Sequence, residues 1–484
     1  MDFKEYKEYH ESFMQNNNGT TAFHTFLTIV PSFFTTFLYT LAVATNTFTC
    51  ISIPMQFLQE FVILVVPVIA SVTILNDFML QINIALLVVC LPLFIFHMKD
   101  RVHIEPFIQI PTRPMQYLTV GRSVVNLLTC LCILAVDFQI FPRNLAKTET
   151  FGYGLMDTGV GLYVMINGGV SAEARKQKHE KLTLMRVKKI LIGTSPLIFL
   201  GLIRFFLVKE IDYQTHISEY GVHWNFFMTL ASVKLFGSLL LEMLPSPKYA
   251  HYMAITCLCL HEMSLQLGLS QYVMNADVSR ETSFINANRE GIVSIPGYVS
   301  IYLLSIWLGS QIQFHGKDTI RPKELLNVVG KITFISFFLW KMIYVCDKMF
   351  GTSRRLANMG YCFWITSLGA TMIVLFMLLE IFILFVKFDQ KELNQGQNER
   401  KSESNANIKQ LDRLKYVPLI FEAINYNALL FFLVANLMTG AVNLLFQTML
   451  LSDVASLSII GYYAFTLLMI MVFLYENNIK LKFW

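Results

Sequence analysis

Residues 78–97, FMLQINIALLVVCLPLFIFH, run for twenty positions without one Asp, Glu, Lys or Arg. At 1.5 Å of rise per residue such a helix is about 30 Å long, the thickness of a bilayer's hydrocarbon core. The run is apolar all round, as expected of a helix surrounded by lipid or by other helices. Twelve further runs of this kind flank it, some interrupted by a single polar group: 23–45, 52–75, 119–141, 155–171, 190–208, 223–243, 250–273, 295–314, 326–348, 357–386, 416–449 and 455–476. The chain reads as an all-α polytopic integral membrane protein of about thirteen transmembrane helices.

Composition agrees. Of 484 residues 55% are hydrophobic and 15% charged, too little polar surface to wrap a soluble core. The formal charge of +5 is small for this length and gives no reason to expect nucleic acid. All eight cysteines (Cys50, Cys90, Cys130, Cys132, Cys257, Cys259, Cys346 and Cys362) lie in or beside apolar runs without metal-ligand spacing, so neither a disulfide frame nor a metal site is expected. Residues 1–22 are polar and of mixed charge, unlike a cleaved signal peptide, so the first span is expected to direct insertion. The sequon Asn18-Gly19-Thr20 lies too near that span for modification to be expected. A single transmembrane domain, 23–476, thus stands between an N-terminal segment, 1–22, and a tail, 477–484.

Thirteen spans put the termini on opposite sides, and Lys and Arg favour the cytosol. With the N-terminus lumenal, segments 98–118, 172–189, 244–249, 315–325, 387–415 and 477–484 are cytosolic and hold 23 basic residues. Segments 1–22, 142–154, 209–222, 274–294 and 349–356 are then lumenal and hold 9, so this orientation is preferred. The linker 172–189 carries Arg175, Lys176, Lys178, Lys181, Arg186, Lys188 and Lys189, a candidate anion site as well as an anchoring charge. The second cytosolic linker, 387–415, is polar between Gln390 and Asn407 and reads as a disordered connection. The end, Lys480-Leu481-Lys482-Phe483-Trp484, is similar to dilysine retrieval signals of the endoplasmic reticulum.

An ionisable group within a span costs about 2.5–3.5 kcal/mol, so it needs a partner, a wet cavity or a task. Here these groups include Glu60, Arg122, Asp137, Asp157, Arg204, Lys234, Glu242, Glu262, Lys331, Lys341 and Glu380. The densest polar cluster runs from Asp137 through Pro142, Arg143 and Lys147 to Asp157, at the lumenal face in this orientation. Pro142 is expected to end the fourth helix. Ten residues then let the chain reverse and bring the Asp137 carboxylate and the Lys147 ammonium together, as a structural ion pair or as a catalytic one. Gly159, Gly161, Gly168 and Gly169 thin the following helix for close packing or for an acyl chain.

The segment 135–161, AVDFQIFPRNLAKTETFGYGLMDTGVG, resembles the hallmark region of the PIG-W family, the inositol acyltransferases of GPI-anchor biosynthesis. Similar to the same family are Glu219 to Phe227 (EYGVHWNFF), Asn288 to Ser294 (NREGIVS) with Pro296-Gly297-Tyr298, Ser353 to Asn358 (SRRLAN), and Asn436 to Gly440 (NLMTG) with Asn443. The resemblance implies thirteen spans in the endoplasmic reticulum membrane, with a lumenal N-terminus and an active site toward the lumen. It implies transfer of a fatty acyl group, usually palmitoyl, from acyl-CoA to the inositol 2-hydroxyl of glucosaminyl-phosphatidylinositol. It also implies Asp137 and Lys147 as the catalytic pair.

Acyl transfer to an alcohol needs a base, a stabilised oxyanion and a protonated leaving group. No Gly-x-Ser-x-Gly elbow is present, so direct attack by the inositol is expected, with acyl-CoA as co-substrate and no permanently bound cofactor. Asp137 is the expected base. Lys147 either orients it, stabilises the oxyanion or protonates the thiolate. Arg143, Asp157, His223, Asn225, Asn288, Arg289 and Glu290 are candidate contacts for the lipid substrate, although capping and loop ordering use the same residue types. Arg175, Lys176, Lys188 and Lys189 are candidates for the phosphates of CoA, against simple anchoring at the membrane surface. Asn436 and Asn443, seven apart, share a helix face and suit helix-to-helix hydrogen bonding. The rival classes are a transporter, for which no paired inverted repeat is evident, and a scaffold, for which the Asp/Lys loop would tolerate change.

Overall fold

The computed structural model describes residues 5, 6, 9, 12, 17–45, 47, 52–98, 110–113, 115–176, 183–211, 217–275, 279–314, 317–396 and 417–481. Residues 177–182 of the basic linker, 397–416 of the polar one and 482–484 of the tail lie outside them.

Every apolar run holds a helix. They are α1 (Ala22–Ala44), α2 (Ile53–Ser71), α3 (Met79–Met98), α4 (Gln116–Ala135), α5 (Thr158–Gly169), α6 (Leu184–Ile211), α7 (Phe226–Glu242), α8 (Pro247–Met274), α9 (Ile295–Ile312), α10 (Pro322–Met349), α11 (Met359–Gly396), α12 (Leu419–Tyr426), α13 (Ala428–Leu445) and α14 (Asp453–Glu476). Among the described residues ten helices are long and apolar enough to cross a membrane, or eleven if α7 and α8, bent by 109° at their junction, form one broken span. The difference from thirteen lies in three runs: 155–171 is the short α5, and 223–243 and 250–273 are α7 and α8, which qualify only as the bent pair. α5 has 12 residues, a rise of only about 18 Å. The run 416–449 still supplies one such helix, α13, which Asn427 sets apart from α12 by leaving helical geometry (φ −127°, ψ 48°). Its amide donates to Ile479 O at 2.9 Å and its carbonyl accepts from Leu481 N at 3.0 Å, which ties the break to the end of α14.

Burial separates an inner set from a rim. The apolar windows of α1, α9 and α11 are 72%, 72% and 78% buried within the protein, against 17% for α3 and 11% for α6, which turn their apolar surface outward. α11 packs along α10 and also against α4, α5, α9 and α1. α9 is pressed against α5 so closely that a Cβ on Gly309 would lie 2.4 Å from the backbone oxygen of Gly169, which favours glycine there.

Three acids within the apolar runs have one task in common. Glu60, fully buried at the end of a turn of α2, accepts from Leu419 N at 2.9 Å and Ile420 N at 2.7 Å, and from Tyr39 Oη at 2.7 Å. Glu380 accepts from Tyr117 N at 3.0 Å, and Glu262 from Met359 N at 2.9 Å. Each therefore closes the N-terminus of another helix, α12, α4 and α11 respectively. The first amides of a helix have no partner inside it, and hydrocarbon supplies none, so a carboxylate meets both the bonding need and the positive end of the dipole.

Candidate active site

α4 stops at Ala135, not at Pro142 as its hydropathy suggests. The chain tightens into three-residue turns, with Asp137 N bonded to Leu134 O and Phe138 N to Ala135 O, both at 3.1 Å. Phe138 and Phe141 bury completely or nearly so, and this packing competes with a further helical turn. Pro142 instead precedes a 3₁₀ turn, Arg143–Leu145, which Arg143 opens.

The loop that follows is held from four sides. Asn17, buried, donates its amide to the carbonyls of Ala146 and Lys147, each at 3.1 Å, while its own carbonyl accepts from Glu149 N at 3.0 Å. Thr20 N bonds Tyr153 O at 2.7 Å. Gly152 takes φ +130°, and a Cβ there would meet Asn18 O at 2.0 Å, so the strap and the loop interlock only through glycine. From the segment between α10 and α11, Thr352 O accepts from Gly152 N at 2.9 Å and Ser353 Oγ donates to Thr150 O at 2.5 Å. Tyr153 donates its hydroxyl to Asp347 at 2.5 Å; burial, with that carboxylate adding to it, pushes the phenol well above its ordinary value and keeps it a neutral donor.

Asp157 is the anchor of the loop. Fully buried, it accepts from Thr148 N (3.1 Å), Thr148 Oγ1 (2.9 Å) and Gly154 N (3.0 Å), and pairs with Arg354 Nε at 2.7 Å. Burial works against the Arg354 charge, but Asp157 and Glu219 outweigh it and raise its value, so the guanidinium stays cationic. With its acceptors occupied, Asp157 shapes the loop rather than facing a ligand.

The two residues expected to act on substrate each have a partner that sequence reasoning did not assign to a site. Lys147 Nζ contacts Glu219 Oε1 at 2.5 Å, both half-buried. Asp137, also half-buried, accepts from Asn443 Nδ2 of α13 at 2.7 Å. Glu219, on the short turn Ile217–Tyr220, is thus an acid beside both Lys147 and Arg354. Its only sequence signal was its place at the head of the EYGVHWNFF stretch. Helix-to-helix bonding is the sequence expectation for Asn436 and Asn443; Asn436 instead donates within its own helix to Phe432 O at 2.7 Å, and Asn443 reaches the candidate base in the turns after α4.

The remaining candidates divide. Asn225 caps α7, accepting from Phe227 N at 3.1 Å and Met228 N at 3.2 Å, and donates to Gly201 O at 2.8 Å. Asn288 orders the preceding loop by accepting from His223 N (2.8 Å) and Trp224 N (2.9 Å). His223 itself is exposed, its ring parallel to Phe284 at 6.3 Å. Glu290 is a fully buried carboxylate bonded to Arg280 at 2.6 Å and Arg355 at 2.8 Å, with Arg289 Nε at 3.7 Å. Of the candidates for CoA, Arg175 donates to Val170 O at 2.7 Å and so closes the end of α5, Lys176 is half-buried, and Lys188 and Lys189 are exposed on α6.

Between α4, α5, α9 and α11 lies a narrow cleft, about 540 Å³ when the open space at its mouth is included. Its walls are Tyr117, Gly121 and Val125 of α4, Leu162, Met165 and Gly169 of α5, Ser305 and Gly309 of α9, and Gly369 and Met372 of α11. Glycines open it and the walls are almost wholly apolar, which suits an acyl donor more than a sugar.

Comparison with known proteins agrees with this architecture over its whole length. A family model described as GWT1 matches residues 6–474. The chain is 31% identical over 510 aligned residues to glucosaminyl-phosphatidylinositol-acyltransferase PIGW of Homo sapiens, covering 99% of each protein. It is 29% identical to the phosphatidylinositol-glycan biosynthesis class W protein of Dictyostelium discoideum, again over 99% of each. With GPI-anchored wall transfer protein 1 of Candida glabrata it shares 34% identity over 76% of this chain and 75% of that protein. A membrane-embedded helical bundle with an interlocked polar loop at the end of α4, matched from residue 6 to residue 474, belongs to the GWT1 family.

Proposed function

We propose that this chain is an acyltransferase of GPI-anchor biosynthesis that moves a fatty acyl group, palmitoyl in the first instance, from acyl-CoA to the inositol 2-hydroxyl of glucosaminyl-phosphatidylinositol. The observation that carries the reading is the similarity to a glucosaminyl-phosphatidylinositol acyltransferase over 99% of both proteins. The reading includes thirteen passes through the endoplasmic reticulum membrane with the N-terminus and the Asp137 loop toward the lumen, supported by 23 basic residues on the cytosolic segments against 9 on the lumenal ones.

In the proposed reaction Asp137 accepts the inositol hydroxyl proton as the oxygen attacks the thioester carbon. The C–O bond forms, the tetrahedral oxyanion collapses, the C–S bond breaks, and the thiolate leaves as CoA after taking up a proton. Asn443 donates to one Asp137 oxygen and so orients the carboxylate for the hydroxyl. The Lys147 ammonium, aimed by Glu219, either faces the oxyanion or protonates the thiolate. The apolar cleft receives the acyl donor. Arg280, Arg289 and Arg355 gather around the Glu290 carboxylate, and guanidinium groups of this kind suit the lipid's phosphate.

The test is product chemistry. Detergent-purified protein given palmitoyl-CoA and glucosaminyl-phosphatidylinositol is expected to yield a lipid with an alkali-labile ester on the inositol ring and one free CoA per ester. Formation of the ester elsewhere, or release of CoA without an ester, would reject the reading.

A further inference from the structure

The strongest unassigned feature is a cation beside the apolar cleft. Leu118, Arg122 and Val125 follow one another at spacings of four and three, so they form one stripe of α4. Leu118 and Val125 wall the cleft, as does Gly121. Arg122 therefore stands on the stripe that builds the cleft's wall.

Among the described residues its charge is paired with no carboxylate. Among the described residues Arg186, Arg280, Arg354 and Arg355 each pair with a carboxylate. For Arg122 no carboxylate is in contact, and its electrostatic neighbours are Tyr163 and a second cation, Arg175. Arg175 donates to Val170 O and, among the described residues, forms no ion pair with a carboxylate. Arg122 is half-buried on a helix that walls an apolar cleft, and Arg175 stands exposed just beyond the end of α5, so an anion would answer a charge that the described residues leave without an acid.

We infer that Arg122, with Arg175, binds the diphosphate of the acyl-CoA donor. The inference rests on the acyltransferase reading above. Distance selects the donor over the lipid acceptor, whose chemistry is also phosphate. Fifteen residues separate Arg122 from Asp137, about 22 Å along the α4 direction. In the acceptor the phosphate is attached to the ring that reacts, so it cannot lie at Arg122 while the hydroxyl meets Asp137. In the donor the long pantetheine arm separates the diphosphate from the thioester and matches such a span. Of the expected CoA contacts only Arg175 falls in this place.

The experiment uses detergent-purified full-length protein, with Arg122→Gln and Arg122→Lys compared to the parent. Two donors are titrated, palmitoyl-CoA and S-palmitoyl-pantetheine, which carries the thioester without any phosphate. Arg122→Gln is expected to raise the KM for palmitoyl-CoA about tenfold or more, the scale of one charged hydrogen bond. Arg122→Lys should fall between, and turnover of the phosphate-free donor should match the parent in both variants. Acyl transfer by the parent is what tests the enzyme reading, and it is scored separately. An unchanged KM for palmitoyl-CoA, a rise confined to the lipid acceptor, or an equal loss with both donors would each overturn the assignment. The last of these would mark Arg122 as a structural or anchoring charge.

Discussion

Glu219 and Asn443 do more to define the proposed chemistry than any other residues outside the loop, because each holds one of the two groups that would touch substrate. Replacing Glu219 with Gln removes the charge that aims Lys147. The expected result is a kcat about tenfold lower with KM for both substrates unchanged, since an aimed charge acts on the transition state more than on binding. A rise in KM with kcat intact would place Glu219 in substrate binding instead. Asn17 works through the backbone: Asn17→Ala loses both bonds to the Ala146 and Lys147 carbonyls. A fall of about fivefold in turnover is expected, the order of one net hydrogen bond. Asp157→Asn is a different case, because it leaves Arg354 buried without its counter-charge. A loss of about 3–5 kcal/mol of stability is expected, read as a sharp drop in the thermal unfolding midpoint in detergent. At this scale the sequence was half legible. The Asp137 to Asp157 cluster stood out because both acids fall within apolar runs, where ionisable groups are rare. Glu219 did not, since its contact with Lys147 joins residues 72 apart across a loop.

At the scale of elements, the apolar runs located the helices and misjudged several ends. Hydropathy records what a residue prefers as solvent and is blind to a turn whose side chains are themselves apolar, as with Phe138 and Phe141 after α4. It also ran through Asn427, where one asparagine divides α12 from α13. The buried acids Glu60, Glu262 and Glu380 explain why such costly residues persist: each supplies the cap that lipid cannot. Glu60→Leu should strand the amides of Leu419 and Ile420, with about 2–6 kcal/mol lost for the two donors. Glu60→Gln, which keeps one acceptor, should lose less. Equal stability of the two variants would show that α12 is held by packing alone.

For the whole molecule, the uneven burial of the helices fits a bundle in which α1, α9 and α11 form a fixed interior and α3 and α6 face lipid. The charge bias along the loops sets the proposed direction. An N-glycosylation acceptor carried on a long spacer before Met1 should be modified in cells, and one placed beyond Trp484 should not; the reverse pattern would invert the bundle. Composition could reveal the bilayer and the loops its sides, but the substrate entered through resemblance and then through the full-length relationship to glucosaminyl-phosphatidylinositol acyltransferases.

The central claim is that the interlocked loop after α4 is the site of acyl transfer to glucosaminyl-phosphatidylinositol. Its most direct test follows labelled palmitate from palmitoyl-CoA into that lipid, using purified parent, Asp137→Ala and Lys147→Ala proteins that elute as folded particles. The account predicts transfer by the parent and its loss in both variants. Transfer at parental rates by either variant, or none by the folded parent with both substrates supplied, would contradict it.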